Sequence, residues 1–165
     1  MIMSHAMNVY TNTANNFLVV GYTTQDHLLV DLDNCSIFKA EILVNKIQDE
    51  YPFLGDALLV RSSDQHYHVV FDDFVRWETL VRIIEVMADL GIVQKNYAQV
   101  RTFRRDLTLR ISDKKGEDRI RPPPEVIEIM TVPHKCNDHN GIAKYLYHLR
   151  FFSEHGSVSK WKEWA

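Results

Sequence analysis

The 165-residue chain has no apolar run approaching the roughly 20 residues that a membrane-crossing helix needs. Its start, MIMSHAM, lacks the basic and apolar regions of a signal peptide, so an intracellular protein is expected. Cysteine is scarce: Cys35 and Cys136 stand far apart and make no disulfide framework. There is no internal repeat and no low-complexity segment, which excludes solenoids and linker-like chains. Excess positive charge is also lacking. A formal net charge of −3 argues against a general polyanion binder.

What is present is ordinary for a globular domain. Hydrophobic residues make up 45% and charged residues 25%, enough apolar side chain for one core. Residues 1–16 are polar and without periodicity and read as a flexible arm. A single domain is expected over 17–152, followed by a tail over 153–165 in which Trp161 and Trp164 stand among lysines.

Phe17 to Tyr22 and His27 to Asp33 read as strands joined by a turn, a first hairpin. Ile37, Ala40, Val44 and Ile47 recur at helical spacing, with Pro52 just beyond. Ala57 to Ser62 and His66 to Phe71 are further strands. A second helix is expected from about Phe74 to Leu90, ended by Gly91. Ala98 to Phe103, Leu107 to Ile111 and Val126 to Thr131 read as strands, Asp113 to Pro124 as an exposed loop, and Gly141 to Phe152 as a last helix. This order predicts an α+β fold, a largely antiparallel sheet with helices packed on one face and the other face left as a polar working surface.

The polar residues of several strands fall on that expected surface. In LLVDLD (28–33), side chains alternate, so Asp31 and Asp33 share a face about 7 Å apart, twice the strand rise. A divalent ion between two such carboxylates would relieve their repulsion; a solvated strand end capping a helix is the plainer alternative. In HYHVVF (66–71), His66 and His68 share the face opposite Tyr67, Val69 and Phe71. Asp106, Thr108, Arg110 and Ser112 alternate with apolar neighbours in the same way. Positive charge gathers locally, with Arg101, Arg104, Arg105, Arg110, Lys114, Lys115, Arg119 and Arg121 in one stretch. It is either a stripe for a phosphate-bearing ligand or a solvated hairpin. Carboxylates suit Mg²⁺ or Mn²⁺, and guanidinium and hydroxyl groups suit phosphate oxygens. Together they invite metal-assisted phosphoryl or nucleotidyl transfer.

Three segments resemble, in order, the catalytic motifs of the archaeo-eukaryotic primase superfamily. LLVDLD (28–33) is similar to the apolar strand ending in Asp-x-Asp. SDQHYHVVF (63–71) resembles Ser-Gly-x-Gly-x-His, with Asp64 and His66 standing where that pattern has glycine. DLTLRISDKKG (106–116) resembles the third, an Asp before a strand carrying Arg, then a turn and a Lys. The resemblance implies an RRM-like, primase-polymerase core. Asp31, Asp33 and Asp106 would hold Mg²⁺ or Mn²⁺, and Ser63, His68, Arg110 and Lys114 (or Lys115) would hold nucleotide phosphates. It also implies partners: a nucleoside triphosphate, a single-stranded or primed DNA template and, with room for them, other replication proteins.

Two other readings compete. His66-Tyr67-His68 is similar to the His-hydrophobic-His motif of rolling-circle replication initiators and relaxases, in which both histidines bind metal and a tyrosine (here Tyr145 or Tyr147) attacks DNA. A nucleic-acid-binding sheet without chemistry is the third. His134, Cys136 and His139 have zinc-ligand residue types at irregular spacing, and a polar loop is the simpler reading.

Overall fold

The structure is a computed structural model in which residues 5–12, 17–115, 120–133 and 140–155 are described. The strands are β1 (His5–Asn12), β2 (Phe17–Thr24), β3 (Leu29–Leu32), β4 (Ala57–Ser63) and β5 (His66–Phe71). They continue with β6 (Leu107–Arg110), β7 (Lys114–Lys115), β8 (Ile120–Arg121) and β9 (Glu125–Met130). The helices are α1 (Ile37–Glu50), α2 (Trp77–Asp89), α3 (Lys95–Arg104) and α4 (Gly141–His155). The chain is therefore α+β, and among the described residues every strand pairing is antiparallel.

The strands divide into three sheets, in the orders β1-β2-β6, β3-β5-β4-β9 and β7-β8. This corrects the expected first hairpin: β2 pairs with β1 and β6, whereas β3 pairs with β5. It also brings residues 5–12, read as part of a flexible arm, into a strand along β2. The segment Ala98–Phe103, read as a strand, lies inside α3. The loop from Asp113 is not wholly exposed: Asp113 is buried and Lys114–Lys115 pair with Ile120–Arg121.

Local chemistry explains the helices. Ser36 caps α1 by accepting from the Lys39 backbone N–H, and Ala40, Val44 and Ile47 form its buried stripe. Gln48 ties α1 to the sheet by donating to the Gly55 and Met130 carbonyls. In α2, Leu80, Ile83, Ile84 and Met87 are buried at helical spacing. By contrast, α3 buries only Ala98.

Register assigns the two faces of the four-stranded sheet. Val30, Val69 and Leu59 are cross-strand neighbours on one face; Asp31, His68 and Val60 are neighbours on the other. The second face is not the open polar surface that was expected. Leu29, Val70, Leu58 and Val60 on it are fully buried, part of one core shared with Val20 and Tyr22 of β2 and Tyr145 of α4. The face opens to solvent at its Asp31–Asp33 end and along the β9 edge, where Val126 and Ile129, opposite Val60 and Leu58, are exposed.

Candidate functional site

A cavity of about 520 Å³ opens at that end, within the roughly 300–1,000 Å³ range of small-ligand sites. Asp31 reaches it from β3 and Asp33 from just beyond that strand, Ser62 and Ser63 from the end of β4, and His66 and His68 from β5. Arg110, Lys114 and Arg121 reach it from β6, β7 and β8. Six of the seven expected site residues thus line one cavity: Asp31, Asp33, Ser63, His68, Arg110 and Lys114. Asp106, the seventh, is not in the lining. It sits between α3 and β6 and accepts from Arg101 at 3.0 Å. Thr108 occupies the corresponding stretch of the lining and shares a hydroxyl hydrogen bond with Thr23 of β2.

The two carboxylates differ in what holds them. Asp33 is engaged at both oxygens, by the His66 ring at Oδ1 and by the Gln94 side-chain amide at Oδ2. Asp31 has His68 Nε2 3.8 Å away, too long for a hydrogen bond. Burial, and then the charge of Asp33, push the Asp31 carboxyl up to about 7, with His66 and Arg110 opposing. A carboxylate so raised gains most from a nearby cation. The donor set, paired carboxylate oxygens beside hydroxyls, fits Mg²⁺ or Mn²⁺, which take one or two protein carboxylates and complete their shell with phosphate and water. Among the described residues, no group of three His, Cys, Asp or Glu side chains forms a ready metal site.

His68 is 5% exposed, and burial, then Arg110, then His66 push its imidazole down to about 3. It is neutral at physiological pH, and its Nδ1 finds no hydrogen-bond partner among the described residues. Arg110 serves the architecture as well as the cavity. Its guanidinium donates to the carbonyls of Ser62, Ser112 and Pro122, tying the ends of β4, β6 and β8 together. Burial, with Arg121 and Arg110 nearby, lowers the Lys114 ammonium from its usual range.

The β4–β5 turn carries the second motif. A register irregularity between Arg61 and Ser63 re-aims this strand end, a common device beside functional sites. Gln65 takes a left-handed conformation, φ 58°. The position that favours glycine here is therefore 65, not 64 or 66.

One residue not singled out in the sequence, Tyr97, comes from α3 together with Arg101 and Arg104 of the expected basic stretch. Tyr97, Arg101 and Arg104 line the cavity, and Tyr97 donates to the Leu29 carbonyl beside Asp31. Their spacing, i, i+4 and i+7, is one helical face, a signal hidden by the strand reading. The two candidate nucleophilic tyrosines are elsewhere: Tyr145 is fully buried edge-on to Tyr22, and Tyr147 is exposed beside His148. Neither lines the cavity. His134, Cys136 and His139 lie outside the described residues. No family model, no curated protein and no solved structure matches this chain.

Proposed function

We propose that the protein is a divalent-metal-dependent nucleotidyltransferase of the primase-polymerase kind, transferring nucleotides from NTP or dNTP onto a DNA-templated strand, with its four-stranded sheet and helices serving as an RRM-like core. The observation that carries this reading is opposed charge in one cavity. Asp31 and Asp33 come from the end of β3 and the residue after its close, and Arg110, Lys114 and Arg121 from β6 to β8. A polyphosphate accompanied by a cation complements both signs at once.

Asp31 and Asp33 would hold Mg²⁺ or Mn²⁺, which neutralises charge on the transferred phosphate when bound. The Ser63 hydroxyl and the Lys114 ammonium bind phosphate oxygens. Arg110 adds fixed positive charge while its carbonyl bonds keep the walls in place. Neutral His68 offers Nε2 to the ligand without bringing a charge that would compete with the cation for Asp31. For Asp106 to join as a ligand, its pair with Arg101 must open. The chain supplies position and charge, and the attacking hydroxyl comes from the nucleic acid.

One observation favours a second reading, binding without chemistry: the third carboxylate is tied to Arg101 and leaves two facing the cavity. The covalent nuclease reading lacks a tyrosine in the lining from α4. The test is Mn²⁺-dependent nucleotide incorporation on primed and unprimed templates. Asp31→Asn should lower it by about 100-fold or more, the size of losing a main electrostatic contact. Full activity in this variant contradicts the assignment, and nucleotide binding without incorporation by the unmodified protein selects the second reading.

A further inference from the structure

A second cavity, of about 490 Å³, adjoins the first and shares Ser62, Ser63, His66 and Arg121 with it. The β4–β5 turn is the common wall. The residues belonging to the second cavity alone are Arg61, Asp64, Pro122, Pro123 and Glu125. Their character differs sharply from the first. Among the described residues of its lining, Arg61 and Arg121 are balanced by Asp64 and Glu125. The chamber offers hydrogen-bond donors and acceptors side by side, next to two proline rings.

The chamber is also held in shape. Arg110 donates to the Ser62 carbonyl on the shared wall and to the carbonyl of Pro122, which lines the second cavity alone, and so fixes their separation. The irregularity between Arg61 and Ser63 lets neighbouring residues serve different surfaces. Arg61 lies with its guanidinium 5.9 Å from the Tyr67 ring, a contact that limits its freedom.

We infer that the second cavity takes the nucleoside of the nucleotide whose phosphates occupy the first; this rests on the nucleotidyltransferase reading. A nucleotide joins a polyanion to a neutral, flat heterocycle through one sugar. The two chambers show the same sequence of properties across a shared wall: charged and cation-binding, then charge-balanced with flat apolar faces. A base edge needs donors and acceptors together, which the first chamber lacks on its basic side and the second provides through Arg61, Asp64 and Glu125. The chain itself thus grips the base, in addition to any pairing with a template.

The test compares inorganic tripolyphosphate with nucleoside triphosphates by calorimetric titration in Mn²⁺. The unmodified protein should bind a nucleoside triphosphate at least roughly tenfold more tightly than tripolyphosphate. Arg61→Ala with Glu125→Ala, both at exposed positions, should narrow that ratio to under about threefold and leave tripolyphosphate binding unchanged. Equal affinity for the two ligands in the unmodified protein overturns the inference while sparing the function it rests on. Failure of both ligands to bind overturns both. If the double variant weakens a single-stranded oligonucleotide but not the nucleoside triphosphate, the chamber belongs to the strand and the inference falls.

Discussion

Two buried histidines, each beside an aspartate, lie toward opposite ends of β3, His27 just before it and His68 paired with its Asp31. His27 Nδ1 lies 2.6 Å from Asp26 Oδ1, and Asp26 is further fixed by the Thr24 hydroxyl and by its carbonyl accepting from Val75. Gly141, the first residue of α4, lies directly against the His27 ring. His68, by contrast, stands 3.8 Å from Asp31, whose side chain is 36% exposed to the cavity. The residue types are the same and the roles differ. At the His27 end the ring is buried against Gly141, its Nε2 without a hydrogen-bond partner among the described residues, and the pair is a packing element that seats α4. At the His68 end the carboxylate is raised, repelled by Asp33 and faced by basic residues, an arrangement that a cation and an anion together would balance. An Asp–His pair therefore becomes a candidate site through what surrounds it.

The comparison breaks most visibly at Gly141. A Cβ there would come 2.4 Å from His27 Cδ2 and 2.7 Å from the Phe71 carbonyl oxygen, distances that force backbone to move. Gly141→Ala should cost about 2–3 kcal/mol, the scale of overpacking a closed core. A denaturant titration measures it, and nucleotide affinity of the folded protein should be unchanged. A variant as stable as the parent would mean that the His27 end is not closed.

The His68 end should answer to pH. The Asp31 carboxyl is raised from about 3.8 to about 7, so its ionisation penalises the folded state fully above pH 7, and the penalty fades as pH falls toward 4. Asp31→Asn removes that penalty. It should therefore be the more stable protein at pH 8, and its advantage should vanish near pH 4. In a sealed carboxyl, each tenfold loss of acidity on folding would cost about 1.4 kcal/mol. Because 36% of the side chain meets solvent, about 1–2 kcal/mol in all is expected. His68 acts with the opposite sign: its lowered pKa costs stability as pH falls below 6.5 toward 3. Denaturation midpoints at pH 8 and pH 4 separate the two. An advantage that grows toward acid would contradict the assignment to Asp31.

The smallest effect lies in the turn between β4 and β5. Gln65 at φ 58° carries a left-handed cost of about 1–2 kcal/mol. Glycine relieves it but loses more freedom on folding, about 0.5–1 kcal/mol. Gln65→Gly should thus stabilise by about 0.5 kcal/mol, readable as a small rise in midpoint. A clear destabilisation would show that the Gln65 side chain supports the cavity wall.

Much of this was legible in the sequence because it is local. The stripe of α1, the alternation in β5 and β6, and the shared face of Asp31 and Asp33 all follow from spacing within a few residues. The convergence of Asp31, Asp33, His68 and Arg110 followed from alternation in three separate strands, whereas Ser63 and Lys114 were implied by the motif resemblance. The rest depends on long-range choices. Nothing near Phe17–Thr24 shows that it pairs with residues 5–12 and 107–110 rather than with the strand that follows it. Val100 and Phe103 favoured a strand in α3, and the helix formed although it buries little more than Ala98. That misreading also hid Tyr97 and the helical face it shares with Arg101 and Arg104, and with it the pairing of Arg101 to Asp106, which lies outside the cavity lining.

The central claim is that Asp31 and Asp33 on one side and the basic residues on the other form a single site for a cation and a polyphosphate together. Reciprocal binding measures this directly, since each ligand must strengthen the other by the same factor. Tripolyphosphate is titrated into the protein with and without Mn²⁺, and Mn²⁺ with and without tripolyphosphate, each corrected for their complex in solution. We predict mutual tightening of roughly tenfold or more, abolished by Asp31→Asn. Binding of either ligand that is indifferent to the other would contradict the shared site.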